Sequence, residues 1–354
     1  MFIPTEPIGS IPRPPELLAC IREFHSGKVS AKTLQAEYDA ALRDTVLRFE
    51  ATGSPVISDG EQSKPSFATY PLADLPNIAA DGLKIPFSDG HSRQLPRLTA
   101  GPFRYGVHAD SYLLAARRYA HVPVKQAVIS ASALSLLYPE GGLEDYDEQT
   151  FLNDLVEQAA TDIRGCLEAG AHRVQIDFTE GRLAVKLDPS KNLLRRFIAL
   201  NNRVLEQFDP ALRPRIGVHT CPGGDCDSTH SADVDYAELL PELFNLQAGN
   251  FYVQLASEKN PERALAVIKQ QLRPGQRVFV GVIDVLNPDV EEPETVRDRV
   301  LQAAEFIPLE QLGTTDDCGF SPFEDDTSTG RDTAFAKIQA RVLGTQMAAK
   351  LLAG

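Results

Sequence analysis

The sequence predicts an α/β fold: a single (β/α)8 barrel of the TIM type, with insertions at its active-site face. Three observations carry that expectation. Short β-rich runs alternate with longer amphipathic runs along nearly the whole chain, the pattern of a parallel sheet with helices packed on it. The β-rich runs number about eight, and 354 residues is a length that suits one such barrel. Polar residues gather where the runs end, which in this architecture is the face that carries chemistry. The competing arrangement is a doubly wound sheet. No G-x-G-x-x-G follows the first strand and no P-loop occurs, so nucleotide-binding versions of it have no positive support.

The first strand is expected over residues 7–11 and the second over 55–58, running into Asp59-Gly60-Glu61. The third falls at 124–129, the fourth at 173–177, the fifth at 215–219 and the sixth at 251–255. Residues 278–283 are continuously apolar, as in a strand buried on both faces, and 312–315 is a short eighth. Between them, 151–169 sets Leu152, Leu155, Val156, Ala159, Ile163 and Cys166 at helical spacing and stops at Gly170. The run 192–208 repeats the pattern with Leu193, Leu194, Phe197, Ile198 and Leu205. Further helices are expected at 235–246, 261–272, 294–306 and 332–352, with Pro261 suited to a first turn. Residues 70–119 break the alternation and read as an excursion near the barrel mouth. Residues 222–234 and 320–331 are also irregular. Residues 1–354 thus read as one barrel domain.

The composition is that of a soluble globular chain, 43% hydrophobic and 24% charged, which excludes disordered and collagen-like classes. Lys and Arg total 35 against 49 Asp and Glu, a formal charge of −14. That balance repels phosphate backbones and anionic lipid, so neither nucleic acid nor membrane is an expected partner. The first residues lack the basic and apolar regions of a signal peptide. Five cysteines, an odd number in a large chain, suit a reducing compartment with free or metal-bound thiols, and the protein is expected to be cytoplasmic.

The strand ends carry Asp59 and Glu61, Asp177 and Glu180, His219 and Cys221, Gln254 and Glu258, Asp284, and Cys318. His219-Thr220-Cys221 is the sharpest of these. In a strand, residues two apart share a face, so both side chains can meet one ion. With Cys318 the set offers one imidazole and two thiolates, which suits Zn2+ with a fourth position for a substrate or a weak ligand. The alternative is that both cysteines are ordinary buried thiols. Cys226 and His230 are near enough to compete, in a loop that reads as solvent-exposed. The carboxylates could bind an ammonium group or act as acid and base, or they could cap loops and helix starts.

In order and spacing these motifs resemble the catalytic domain of cobalamin-independent methionine synthase, in the superfamily shared with uroporphyrinogen decarboxylase. The resemblance spans nearly the whole chain. Ile8-Gly9-Ser10 resembles the family's opening turn, Asp59-Gly60-Glu61 its second-strand motif, and Gln175-Ile176-Asp177 with Glu180-Gly181 its fourth-strand motif. His219-Thr220-Cys221 and Asp317-Cys318-Gly319 resemble its zinc-ligand motifs, and Gly281-Val282-Ile283-Asp284 its seventh-strand motif. The resemblance implies a zinc-dependent methyltransferase that methylates homocysteine to give methionine. His219, Cys221 and Cys318 would hold the metal, and Ser10, Glu61, Asp177 and Glu180 would hold the amino acid. Asp177 and Asp284 would be the catalytic carboxylates.

Two departures stand out. The family's fourth ligand, a Glu, falls on Gln254 here: either Gln254 binds zinc through its carbonyl oxygen, Glu258 reaches back, or the position is open. The family's His after the seventh-strand Asp falls on Leu286, which cannot donate a proton to a folate leaving group. The chain has no Trp to stack on a pterin. The methyl donor is therefore left between methyltetrahydrofolate and a methylcorrinoid, the latter bringing a corrinoid partner. Two other readings remain: a zinc-dependent transferase joining another thiol to another electrophile, as in epoxide:coenzyme M transferases, and a non-catalytic barrel that binds a thiol or corrinoid.

Overall fold

The computed structural model describes residues 2–354. Six parallel strands form one sheet: β1 (Gln126–Ile129), β2 (Val174–Asp177), β3 (Ile216–Thr220), β4 (Asn250–Val253), β5 (Arg277–Ile283) and β6 (Leu312–Asp316). They lie in chain order, β1 beside β2 and onward to β6, as consecutive right-handed βα units require. Two further segments attach at the sheet's edges. Thr5 bridges Thr314 of β6, and Ile57 bridges Val124 just ahead of β1, both parallel. Ile11 N donates to Gly60 O at 3.0 Å and Ser58 Oγ donates to Gly9 O at 2.6 Å, so these two segments meet each other. The eight segments thus follow one another around a ring.

The six ladder strands match their sequence expectations within two residues. The first two segments make single bridges rather than ladders. Pro4, Pro7 and Pro55 supply no backbone N–H, so a continuous ladder cannot form there. The expected first strand at 7–11 is accordingly displaced, with its bridge at Thr5.

The interior is filled by rings against glycines. Tyr252 stacks on Phe279 with centroids 4.6 Å apart. A Cβ at Gly217 would lie 2.6 Å from the Tyr252 ring, and one at Gly313 would lie 2.5 Å from Phe279, so both positions need glycine. Leu155, Val156, Ile163, Leu194, Leu239, Leu265, Val296 and Val300 of the surrounding helices are buried in the apolar layer outside the sheet. Helices at Pro15–His25, Ala31–Ala51, Asp110–Arg117 and Glu180–Leu187 have no counterpart among the helices expected from periodicity. Ala31–Ala51 buries Ala41 and Thr45 beside Leu42, Val46 and Phe49, small residues that weaken an apolar stripe.

The excursion folds into two short antiparallel ladders, Ile78–Ala79 with Arg97–Leu98 and Lys84–Pro86 with Ser92–Gln94, followed by the helix Asp110–Arg117. The second ladder is a hairpin that lies against the loop after β3. Ser88 N donates to Thr229 O at 3.0 Å, and the Ser88 and Ser228 hydroxyls are 2.9 Å apart. Among the described residues no helix is long and apolar enough to cross a membrane.

Candidate metal centre and substrate cavity

A cavity of about 350 Å³ opens at the C-terminal ends of the strands. Its lining includes Ser10, Glu61, Asp177, Glu180, His219, His230 and Cys318, with Phe67, Phe87 and Phe323 among its apolar members. The parallel register explains much of this convergence. Asp177 pairs with His219, and His219 with Tyr252, so strand ends that are far apart in sequence arrive side by side.

The ligand atoms of His219, Cys221 and Cys318 lie within 4.8 Å of one another, and all three residues are buried. The two sulfurs are 2.9 Å apart, beyond the ~2.05 Å of a disulfide. The hydrogen bond with Cys221 holds the Cys318 thiol well below its ordinary range, and burial pushes Cys221 up. His219 Nδ1 faces Tyr252 O at 3.3 Å. A carbonyl accepts only, so Nδ1 carries the proton and Nε2 keeps its lone pair. Nε2 is buried and has no hydrogen-bond partner among the described residues.

Gln254 follows β4 directly. Its Nε2 donates to Ser257 Oγ at 2.7 Å, while Oε1 is buried without a partner among the described residues. An imidazole nitrogen with an unused lone pair gathered with two thiols is a donor set that fits a divalent metal such as zinc, and Gln254, which does not line the cavity, adds an unpartnered oxygen. Glu258, the alternative fourth ligand, is committed elsewhere: Arg182 Nη1 holds its Oε1 at 2.6 Å.

Glu61 projects from a turn in which Gly60 and Glu61 both have positive φ, +65° and +55°. A Cβ at Gly60 would meet Thr45 Cγ2 at 2.4 Å, so glycine is required there. Asp59 closes this turn, its Oδ1 accepting Glu61 N at 3.1 Å, and is absent from the cavity lining. Glu61 Oε1 is 3.1 Å from Lys64 Nζ, a buried pair that sequence reasoning missed. Burial pushes Glu61 up to about 7, with Lys64 pulling down and Asp177 and Asp59 pushing up.

Glu180 opens the helix Glu180–Leu187. Ser130 Oγ donates to its Oε1 at 2.6 Å, and the Ser132 hydroxyl donates to the same oxygen. Oε2 is buried with no partner among the described residues, and burial pushes the carboxyl up to about 7. Asp177 is positioned from below. Lys125 Nζ donates to Gln175 Oε1 at 2.6 Å, which turns Gln175 Nε2 to Asp177 Oδ1 at 2.7 Å.

Asp284 is not among the cavity-lining residues; its Oδ1 accepts Leu286 N at 3.0 Å in a local turn. Leu286 does not line the cavity either. The loop after β3, expected to be solvent-exposed, is mostly buried from Pro222 to Ser231, with its exposed tip at Cys226 and Asp227. The hairpin at 84–94 covers it, which no local pattern announces. Asp225, Cys226 and Asp326 also cluster. Their oxygens already receive Arg93, His91 and Ser328, so that group is a joint rather than a metal site.

His230 lines the cavity, and its Nδ1 is 2.9 Å from Ser231 Oγ. Ser231 spends its proton on Pro222 O at 3.0 Å, so Nδ1 donates to the hydroxyl and Nε2 is the bare nitrogen. Burial pushes His230 down to about 4, leaving it neutral. The motif Asp317-Cys318-Gly319 is used at every position. Asp317 accepts from the backbone after β4. Cys318 joins the thiol pair. A Cβ at Gly319 would lie 2.1 Å from Ser10 Oγ, so glycine there makes room for the serine.

Fold and site together define a class: a (β/α)8 barrel enzyme that gathers one imidazole and two thiols at the mouth end of its strands. The chain belongs to the family described as the catalytic domain of cobalamin-independent synthase, whose profile matches residues 3–329. It is 22% identical over 348 residues to a methionine synthase of Sulfurisphaera tokodaii, covering 98% of this chain and 92% of that one. It is also 22% identical to a 5-methyltetrahydropteroyltriglutamate–homocysteine methyltransferase of Vibrio vulnificus, covering 90% of this chain and 39% of that one. A B12-independent methionine synthase from a Shewanella species, solved with selenomethionine, shares the fold. Its TM-score is 0.77 at 19% identity, with 100% of this chain and 99% of that chain covered.

Proposed function

We propose that this protein transfers a methyl group to the thiol of homocysteine, giving methionine, with zinc held by His219, Cys221, Cys318 and Gln254. The observation that carries this reading is the gathering of an imidazole and two thiols within 4.8 Å, beside a cavity that also presents an unpartnered carboxylate oxygen. Family membership and the methionine synthase names of its relatives support the reaction class. Zinc in this donor set would bind the substrate sulfur and keep it a thiolate at neutral pH.

The remaining work falls to the chain. Glu180 Oε2 and Asp177 offer negative charge for the substrate ammonium, and Glu61 adds to it while sharing its own charge with Lys64. Ser10 Oγ accepts Ser321 N at 3.1 Å, so its own proton is free for the substrate carboxylate. The thiolate sulfur forms a bond to the methyl carbon as the carbon–donor bond breaks, and the electron pair leaves with the donor. A folate nitrogen needs a proton at that moment, and Leu286 supplies none; a methylcorrinoid needs little such help. We assign residues 1–354 to this task as one barrel domain. We place it in the cytoplasm, where reducing conditions keep two thiols 2.9 Å apart unpaired.

The test is a methyl-transfer assay to homocysteine that compares methyltetrahydrofolate with methylcobalamin, together with zinc content. The expected result is methionine from at least one donor and about one zinc per chain. Protein purified without chelator that holds no zinc and forms no methionine from either donor would overturn the reading.

A further inference from the structure

The hydrogen bonds around Gln254 give a physical reason for an amide at that position. Asp317 accepts four donors: Leu255 N and Ala256 N at 2.9 Å on Oδ1, and Ser257 N and Ser257 Oγ at 2.7 Å on Oδ2. Three backbone N–H groups already fill most of the acceptor positions of Asp317, and the Gln254 NH2 group, which can only donate, lies 2.7 Å from the same Ser257 Oγ that contacts Asp317 Oδ2. The single hydroxyl proton of Ser257 therefore points at Asp317, and Ser257 turns a lone pair to Gln254. The Gln254 NH2 group fills it at 2.7 Å. An amide with its nitrogen placed there holds its oxygen on the other branch of the same plane, and that oxygen is buried and unpartnered among the described residues.

The register gives the direction. Tyr252 pairs with His219 and Val253, the last ladder residue, with Thr220, so the register continued by one residue sets Gln254 level with Cys221 and in the parity of His219. Asp317 itself depends on Gly281, because a Cβ there would lie 1.9 Å from Asp317 Oδ1.

We propose that Ser257 and Asp317 are positioning residues that lock the Gln254 amide with its carbonyl oxygen toward the two thiols. Together they make position 254 require a side chain that donates from one atom and ligates with another. A carboxylate at 254 would face the Ser257 lone pair with an acceptor while the Ser257 proton points at Asp317. This inference rests on the metal reading above, and its test is a measurement of metal binding without substrate.

The probes are zinc affinity, by competition with a chromophoric chelator, and the visible absorption of the cobalt(II)-loaded protein. The variants are Ser257→Ala, Ser257→Thr, Gln254→Leu and the Ser257→Ala/Gln254→Leu double variant. Ser257→Ala is expected to weaken zinc about tenfold, the lower end for residues that orient metal ligands. Ser257→Thr should restore affinity. In the Gln254→Leu background, Ser257→Ala should cost nothing further, because the amide it orients is gone. The cobalt spectrum of Ser257→Ala should shift toward that of Gln254→Leu. Unchanged affinity in Ser257→Ala, or an equal loss in both backgrounds, overturns the positioning role and leaves the metal reading standing. Absence of metal binding by the unmodified protein overturns both.

Discussion

The strand ends beneath the cavity and the loops that cover it are held by different forces. Below, His219 is the fourth residue of a five-residue strand and Asp177 the last of its strand, each set by backbone ladders on both sides. Their polar contacts are buried, as in Lys125 to Gln175 to Asp177. Above, the 84–94 hairpin meets the loops after β3 and β6 through one backbone hydrogen bond, Ser88 N to Thr229 O, and otherwise through side chains. Arg93 forks onto buried Asp225 and onto Asp325, which is 65% exposed, and lies 4.3 Å over the Phe323 ring. Ladders cost much to open and resist salt; exposed ion pairs are worth ~1 kcal/mol or less and are screened. The lower layer is thus fixed by ladders on both sides of β2 and β3, while the upper is held by fewer contacts, some buried as at Asp225 and some exposed as at Asp325.

The largest effect should come from breaking the lower layer at its donors. Cys221→Ser or His219→Ala should lose metal and reduce methyl transfer by well over the ~100-fold that outer-shell partners reach. Turnover retained at a tenth of the original would break the ligand assignment. Gly281→Ala comes next. Its Cβ would fall 1.9 Å from Asp317 Oδ1 and 3.0 Å from Leu255 N. The expected result is a stability loss of about 1–3 kcal/mol with weaker zinc binding, read from thermal melts and chelator competition. A variant as stable and as tightly metallated as the parent would show that the lower layer yields more than its packing implies.

Glu180 tests where the amino-acid end belongs. Burial pushes it up to about 7, so it gains a proton as pH falls through that value and loses the charge that meets the substrate ammonium. Binding of homocysteine should weaken as pH drops from 8 to 6, by up to about tenfold per unit below 7. Glu180→Gln should flatten that profile and leave a thiol without an amino group unaffected. A variant with the parent's pH dependence would remove Glu180 from the role.

The smallest effect is expected above. Asp325→Ala, which removes only the exposed partner of Arg93, should raise KM about two- to fivefold with kcat nearly kept, the scale of one partly exposed ion pair. Added salt should raise the parent's KM toward that of the variant. A large fall in kcat instead would mean that the cover helps to set the geometry below it.

Local pattern was enough for much of the barrel. Apolar runs of strand length, broken by helical stripes, mark β1 to β6 because strand and helix periodicities are properties of neighbouring residues. It was also enough to select His219, Cys221 and Cys318, since an H-x-C step at a strand end places two donors on one face before any partner is known. Asp317 was legible in principle as the residue beside Cys318, yet its four donors lie 60 to 62 positions away.

Which candidate carboxylates stay available was decided only in three dimensions. Glu258 is taken by Arg182 across 76 positions, and Glu61 shares its charge with Lys64. Asp284 turns to its own loop, and Glu180 keeps one oxygen free. The burial of the loop after β3 follows from a hairpin more than 130 positions earlier in the chain. Period and spacing report what a residue's neighbours favour. The charge partner a side chain finds, and whether a lone pair is left over, depend on chain closure around the whole barrel.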